Sequence, residues 1–329
     1  MMPIRWRRTL LVATPLAAPL RQAAAQEPAE IRQGRTLIEA GRAREARQML
    51  QPFAEREPRD GAAAFWTGRA FLAEGERKEA ERWLERALER APAQADYHYW
   101  AGVATAERVQ RAGVVTAMRR AGRIRERFER AVALDPRHVA AREGLVDYYL
   151  NAPAVAGGSK EKAGENARLL ATIDVAAGHR ATASIRLVAG DSMGAIAALR
   201  SAIAVEPGRR ETRMTLGLGL QSMARWDEAL ATFDSALAHD PRDLAALYQV
   251  GRTAALSGKY LAKGEAALRA YVAAPVSPDR PAHAAAWWRL GQVLRHQGRT
   301  ADARAARYRA VGASCSGVAA GEGGAGGAS

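Results

Sequence analysis

The apolar residues of this chain fall into helix-spaced groups separated by turn residues, and no stretch alternates apolar and polar side chains with period two. The pattern predicts helices and turns, with no strands. A longer beat lies over it. Gly34, Gly68 and Gly102 are 34 residues apart, as are Gly217 and Gly251. Pro58 and Pro92 keep the same interval, and so do Pro207, Pro241 and Pro275. Ala46 with Ala80, Ala195 with Ala229, and Ala202 with Ala236 and Ala270 repeat it again. Five registers sharing one period specify a repeated structural unit.

The spacing has a physical reason. A Gly in the first helix of each unit and two Ala in the second allow close helix crossing, where a larger side chain would push the axes apart. Large residues, Leu37, Phe71 and Leu220 in first helices with Leu84, Phe128 and Phe233 in second ones, fill the space around them. A single unit leaves one apolar face uncovered, and stacking buries it. The prolines stop each second helix, twice as Asp-Pro at Asp135-Pro136 and Asp240-Pro241.

Leu216-Gly217, Leu220, Trp226, Ala229, Phe233, Ala236 and Pro241 carry the clearest copy, and the period resembles that of the tetratricopeptide repeat (TPR), a 34-residue helix–turn–helix unit. The resemblance implies an all-α, right-handed superhelical solenoid. Counting by this register gives a solenoid over 26–312 with about eight units, near 27–60, 61–94, 95–138, 139–175, 176–209, 210–243, 244–277 and 284–315. Two units are expanded. Pro92 to Pro136 is ten residues longer than the period, and Pro136 to Pro207 is three longer than two periods. The first excess is expected near 108–120, between a first helix and a second helix Arg123–Leu134, and the other at the loop 151–159. A Pro-Asp-Arg-Pro spacer, 278–281, precedes the last unit, and the Gly/Ala/Ser-rich segment 313–329 is expected to be a disordered tail.

Composition narrows the function. Apolar residues make up 48% and charged residues 26%, and no apolar run reaches a bilayer-spanning length, so an integral channel is not expected and the mature chain is expected to have no membrane span. The single cysteine, Cys315, permits neither an intrachain disulfide nor a thiolate-rich metal site. Residues 1–25 read as an export signal. A basic start to Arg8 is followed by a short apolar stretch, Thr9–Leu20, and by Ala23-Ala24-Ala25, with cleavage expected after Ala25. Arg7-Arg8-Thr9-Leu10-Leu11 also resembles the twin-arginine export core, with ordinary secretion the preferred route. The protein is therefore expected in the periplasm or outside the cell. The net charge of +14 includes four arginines of this leader, and only five of the 49 basic residues are lysines, a usage consistent with GC-rich coding.

Catalytic patterns are missing. Gly157-Gly158-Ser159-Lys160 has the wrong order for a phosphate loop, and Ser159 with Lys162 lacks the companion motifs of the penicillin-recognising enzymes. Ser159 is instead expected to cap the helix Lys160–Ile173, with Gly157 and Gly158 in the turn before it. The six histidines show no metal-ligand spacing, and His98 reads as a packing residue. A non-catalytic scaffold without cofactor or metal is the expectation.

In the tetratricopeptide family the concave groove is lined by the first helix of each unit, at its second, fifth, ninth, twelfth and thirteenth positions. The resemblance therefore implies a partner-binding face made of Phe65, Arg69, Tyr99, Tyr248, Arg252, Trp288 and Arg295, with Val103, Met214, Leu218 and Gln292 beside them, and Trp100 and Arg289, one position along, are expected to join it. Aromatic rings beside guanidinium groups suit protein recognition. No Lys or Asn occupies the positions that clamp a C-terminal carboxylate in peptide-binding relatives, so Arg252, Arg289 and Arg295 are expected to receive an acidic protein segment. The alternative is nucleic acid or another polyanion bound by Arg119, Arg120, Arg123, Arg125, Arg127 and Arg130. Glu126 and Glu129 interrupt that series and favour a salt-bridged helix.

Overall fold

The computed structural model describes residues 27–109, 114–275 and 282–322. The expected leader and the 278–281 spacer lie outside these residues. Among the described residues the chain is all helical, with sixteen α-helices and no strands. They follow one another as eight pairs: α1 (Ala29–Glu39) with α2 (Ala43–Arg56), α3 (Gly61–Ala73) with α4 (Arg77–Arg90), and α5 (Ala95–Val109) with α6 (Val114–Leu134). Then come α7 (Val139–Asn151) with α8 (Lys160–Ile173), α9 (Val175–Val188) with α10 (Ser192–Val205), and α11 (Arg210–Ser222) with α12 (Trp226–His239). The last are α13 (Leu244–Ser257) with α14 (Leu261–Ala273), and α15 (His283–His296) with α16 (Thr300–Glu322). Each helix packs mainly on those before and after it in the chain, so the core is a string of small clusters rather than one centre.

In the units that keep the 34-residue beat, the glycine marks a recurring contact. A Cβ added at Gly34 would lie 2.5 Å from Leu50 Cγ, at Gly68 2.8 Å from Leu84 Cγ, and at Gly217 2.4 Å from the Phe233 ring. The missing side chain is what admits the large residue from the partner helix. Leu50, Leu84 and Phe233 are accordingly fully buried.

Polar residues end and start the helices. Asp60 Oδ1 accepts from the amides of Ala62 and Ala63 at the start of α3, and Asp243 does the same for Ala245 and Ala246 at the start of α13. Among the described turns inside the pairs, each holds a left-handed residue. Gly190 (φ 81°) and Gly258 (φ 70°) supply it in their units, and Ala224, midway between them in sequence, holds φ 55° with a Cβ that this region disfavours.

The two expansions differ from each other. The first was expected as an irregular insert before a helix starting at Arg123, but α6 begins at Val114, so the added residues lengthen the second helix toward its N-terminus. Ala117, Met118, Arg119, Arg120 and Ala121 are good helix formers, and Glu81 anchors them from α4, as described below. Residues 110–113 lie outside the described part. The second expansion is a built loop. It holds a single 3₁₀ turn, Ala154–Ala156, then Gly157 at φ 91°, and Ser159 Oγ accepts from Lys162 N at 3.3 Å to cap α8. Tyr148 Oη donates to the Ala156 carbonyl at 2.6 Å and ties the loop down. At the other end, α16 runs to Glu322 and so enters the segment expected to be unfolded. Its alanines have high helix propensity and extend the preceding helix, while 323–329 lie outside the described residues.

Two substitutions test this reading. Gly217→Ala forces a methyl group into the Phe233 ring, and we expect a loss of about 1–3 kcal/mol in chemical denaturation. Ala224→Gly removes the left-handed strain of the turn and should gain up to about 1 kcal/mol. Equal midpoints for both variants and the parent would contradict the account.

Candidate functional site

A cleft of about 620 Å³ opens on the first-helix face of the middle units. Its lining follows the repeat register. From α5 come Tyr99, Val103, Ala106 and Glu107, from α7 Glu143, Asp147 and Asn151, and from α9 Arg180, Ser184 and Leu187. Thr212 and Thr215 of α11 close one side, together with Arg209 and Glu211, while Ile124 and Phe128 of α6 lie beneath. The α7 and α9 helices pack together, whereas α5 and α7, like α9 and α11, have little backbone contact. Both expanded units contribute to the opening.

Its charges are mostly paired. Arg180 donates from Nε to Glu143 at 2.7 Å and from Nη1 to Glu206 at 2.6 Å, and Arg209 stands 3.7 Å from Glu143. Glu107 pairs with Arg77 at 3.3 Å. Asp147 differs: its carboxylate has no hydrogen-bond or ion-pair partner among the described residues, and only its backbone carbonyl accepts, from Asn151 Nδ2. The side chain reaches solvent yet has protein on most sides in the concave wall. That crowding, and then the negative charge of Glu143, push its pKa up to about 6. Burial also raises the Tyr99 hydroxyl, with Glu143 and Asp147 acting in the same direction and Arg69 and Arg209 opposing.

The residues expected to form the groove do not share one fate. Tyr99 lines the cleft, and Val103 beside it. Trp100 packs on the N-terminal core and carries the Arg69 guanidinium 3.3 Å from its ring centroid, with Trp66 at 5.6 Å from the same group. Burial lowers Arg69 to about 10, and no carboxylate is in ion-pair reach among the described residues. Phe65 and Tyr248 are corrections. Phe65 is 5% exposed and stacks on Tyr97 at 4.4 Å, and Tyr248 is 8% exposed against Tyr271 at 5.3 Å. The neighbouring helices cover both rings, so they are packing residues. Trp288 is 48% exposed, with Arg307 at 5.3 Å from its centroid. Arg295 is exposed, near the end of α15.

The arginines expected to receive an acidic segment are partly engaged already. Arg252 Nη1 donates to Gln221 Oε1 at 2.9 Å, and Arg289 Nη1 to Gln292 Oε1 at 3.0 Å. His98 is buried, with Nε2 at 2.8 Å from the Pro92 carbonyl, as expected of a packing histidine. Among the described residues no group of His, Cys, Asp and Glu is arranged to hold a metal ion. Glu143, Asp147, Arg180 and Leu187 were missed, although counting groove positions through the fourth and fifth units in the same way would have reached them.

The arginine-rich helix is tied to the scaffold. Glu81 of α4, 6% exposed, pairs with Arg108 and with Arg120 at 2.9 Å and lies 4.0 Å from Arg123. Arg125 pairs with Glu129, and Arg127 with Glu85. Burial works to raise the Glu81 carboxyl, but hydrogen bonds from Arg108 and Arg120 overcome it and hold the group below its ordinary value. Of the six arginines of the polyanion reading, Arg119 and Arg130 alone lack a carboxylate partner among the described residues.

The sequence model of the tetratricopeptide repeat family matches residues 31–95, 214–278 and 262–317, together just over half of the chain. No curated protein matches the chain in sequence. Among solved structures it is similar to a tetratricopeptide repeat protein from Parabacteroides merdae ATCC 43184, at 11% identity and TM-score 0.53, over 80% of this chain and 97% of that one. It is also similar to a chain of the APC/C hetero-tetramer Cut9-Hcn1, at 14% identity and TM-score 0.53, over 79% of this chain and 48% of that one. The chain thus spans about half the length of that relative. Both likenesses concern the fold.

The site yields two expectations. Because the folded Asp147 binds its proton more tightly than a free carboxyl of 3.8, its contribution to stability falls as pH rises from that value through about 6. Asp147→Asn should therefore melt higher than the parent at neutral pH, with the gain gone once the pH falls below the ordinary carboxylate range. A constant difference across the titration would contradict it. Glu81→Gln leaves Arg108 and Arg120 without their anion and should cost about 2–3 kcal/mol, below the figure for a fully buried pair because both arginines reach water. Hydrogen exchange should rise first at the N-terminal half of α6.

Proposed function

Since the chain belongs to the tetratricopeptide repeat family, whose members are in general protein interaction scaffolds, we propose that it is a non-catalytic adaptor holding a protein segment in the cleft between α5, α7, α9 and α11. The observation carrying this reading is the cleft itself. Its volume lies within the range of binding pockets, and it is lined by successive first helices at the register positions a groove would use. A basic start, a short apolar stretch and Ala23-Ala24-Ala25 support export of the chain to a bacterial cell envelope. No helix among the described residues is long and apolar enough to cross a membrane. The polyanion alternative loses support because most arginines of α6 already face carboxylates.

A photo-crosslinking residue in place of Ser184, in the cleft, should capture a discrete protein in living cells, while one in place of Ser235 on α12 should not. Equal capture at both positions would remove the groove from the proposal. In the same cells, fractionation and N-terminal sequencing should find the mature chain in the envelope, beginning at Gln26. A cytosolic chain that keeps Met1 would overturn the exported part and leave the adaptor part standing.

A further inference from the structure

The charges left uncommitted in the cleft are acidic, although the chain as a whole is strongly basic. Six ionised side chains line it: Glu107, Glu143, Asp147, Arg180, Arg209 and Glu211. Arg180 is held between Glu143 and Glu206, Arg209 faces Glu143, and Glu107 is paired with Arg77. Asp147 and Glu211 remain, each with a carboxylate that has no partner among the described residues, and the lining contains no lysine. Beside them stands an apolar shelf. Leu187 is 45% exposed, and the half-buried Val103 and Ala106 continue the surface on α5. An occupant matching both features carries a cation next to apolar side chains.

We propose that the cleft takes a basic, amphipathic protein segment, with a Lys or Arg side chain on Asp147 and its apolar neighbours over Leu187. The inference rests on the groove reading and reverses the sign of the partner that the exposed arginines suggested. An acidic segment would bring its carboxylates against Asp147 and Glu211, while the cleft arginines that might receive them are already neutralised. Arg69, the nearby arginine without an ion pair, is not part of the cleft lining and lies against Trp100 and Trp66. The other titratable groups of the lining are Tyr99 and Glu107 from α5, Glu143 and Tyr148 on the helix of Asp147 itself, Arg180 from α9, and Arg209 and Glu211 at α11.

The test is selection of a displayed library of random short peptides on the full-length protein, followed by fluorescence anisotropy of the synthetic winners. Four variants are compared: Asp147→Asn, Glu211→Gln, Leu187→Arg, and Glu161→Gln on α8 as a charge control outside the cleft. The expected winners are rich in Lys or Arg beside apolar residues. They should bind Asp147→Asn about fivefold more weakly, bind Glu211→Gln more weakly too, lose Leu187→Arg and keep Glu161→Gln. Acidic winners that lose Leu187→Arg but keep Asp147→Asn would overturn this inference and leave the groove in place. Winners that bind Leu187→Arg as well as the parent, or no winners at all, would overturn both.

Discussion

One contact organises the molecule: a glycine on the first helix of a unit accepting the large side chain of the second. Gly34 with Leu50, Gly68 with Leu84, and Gly217 with Phe233 are each 16 residues apart. Gly102 meets Phe128 at a separation of 26. The ten residues added to that unit appear in full within the interval, and the contact survives them. The crossing is therefore what the fold conserves internally, while the connection between the two helices is free to grow. Phe128 also meets Gly144 of the next unit, so this ring closes two crossings at once.

Much of this was legible because it is local and periodic. Glycine, alanine and proline at fixed intervals identify helix pairs, and the expanded units betray themselves as departures from the interval. Less legible was the form of each expansion. The lengthened α6 depends on Glu81, a single acid in an earlier unit whose arginine partners lie 27 and 39 residues away. Periodicity carries no sign of such a pairing. Of the nine residues expected to form a binding face, Tyr99 alone lines the cleft. Phe65 and Tyr248 occupy groove positions by count, but whether a ring faces solvent or the adjacent repeat is set by neighbours such as Tyr97 and Tyr271.

Charge illustrates the same limit. A chain with 49 basic residues suggests anionic partners, and its groove arginines strengthen the impression. In three dimensions several arginines answer to residues of the chain itself: Arg180 to two carboxylates, Arg252 to Gln221 and Gln249, and Arg120 to Glu81. Counting formal charge measures what the chain contains, whereas recognition depends on what remains after internal pairing. By that measure the central cleft has the opposite sign to the protein.

The walls of the cleft are joined indirectly. α5 reaches α7 through α6, and α9 reaches α11 through α10, since each first-helix pair has little backbone contact of its own. The spacing of the walls therefore rests on the seams of α6 with α7 and of α10 with α11. The aperture is set at the back of the molecule. Phe128, wedged against Gly102 of α5 and Gly144 of α7 beneath the cleft, is the ring that spaces the first of these walls.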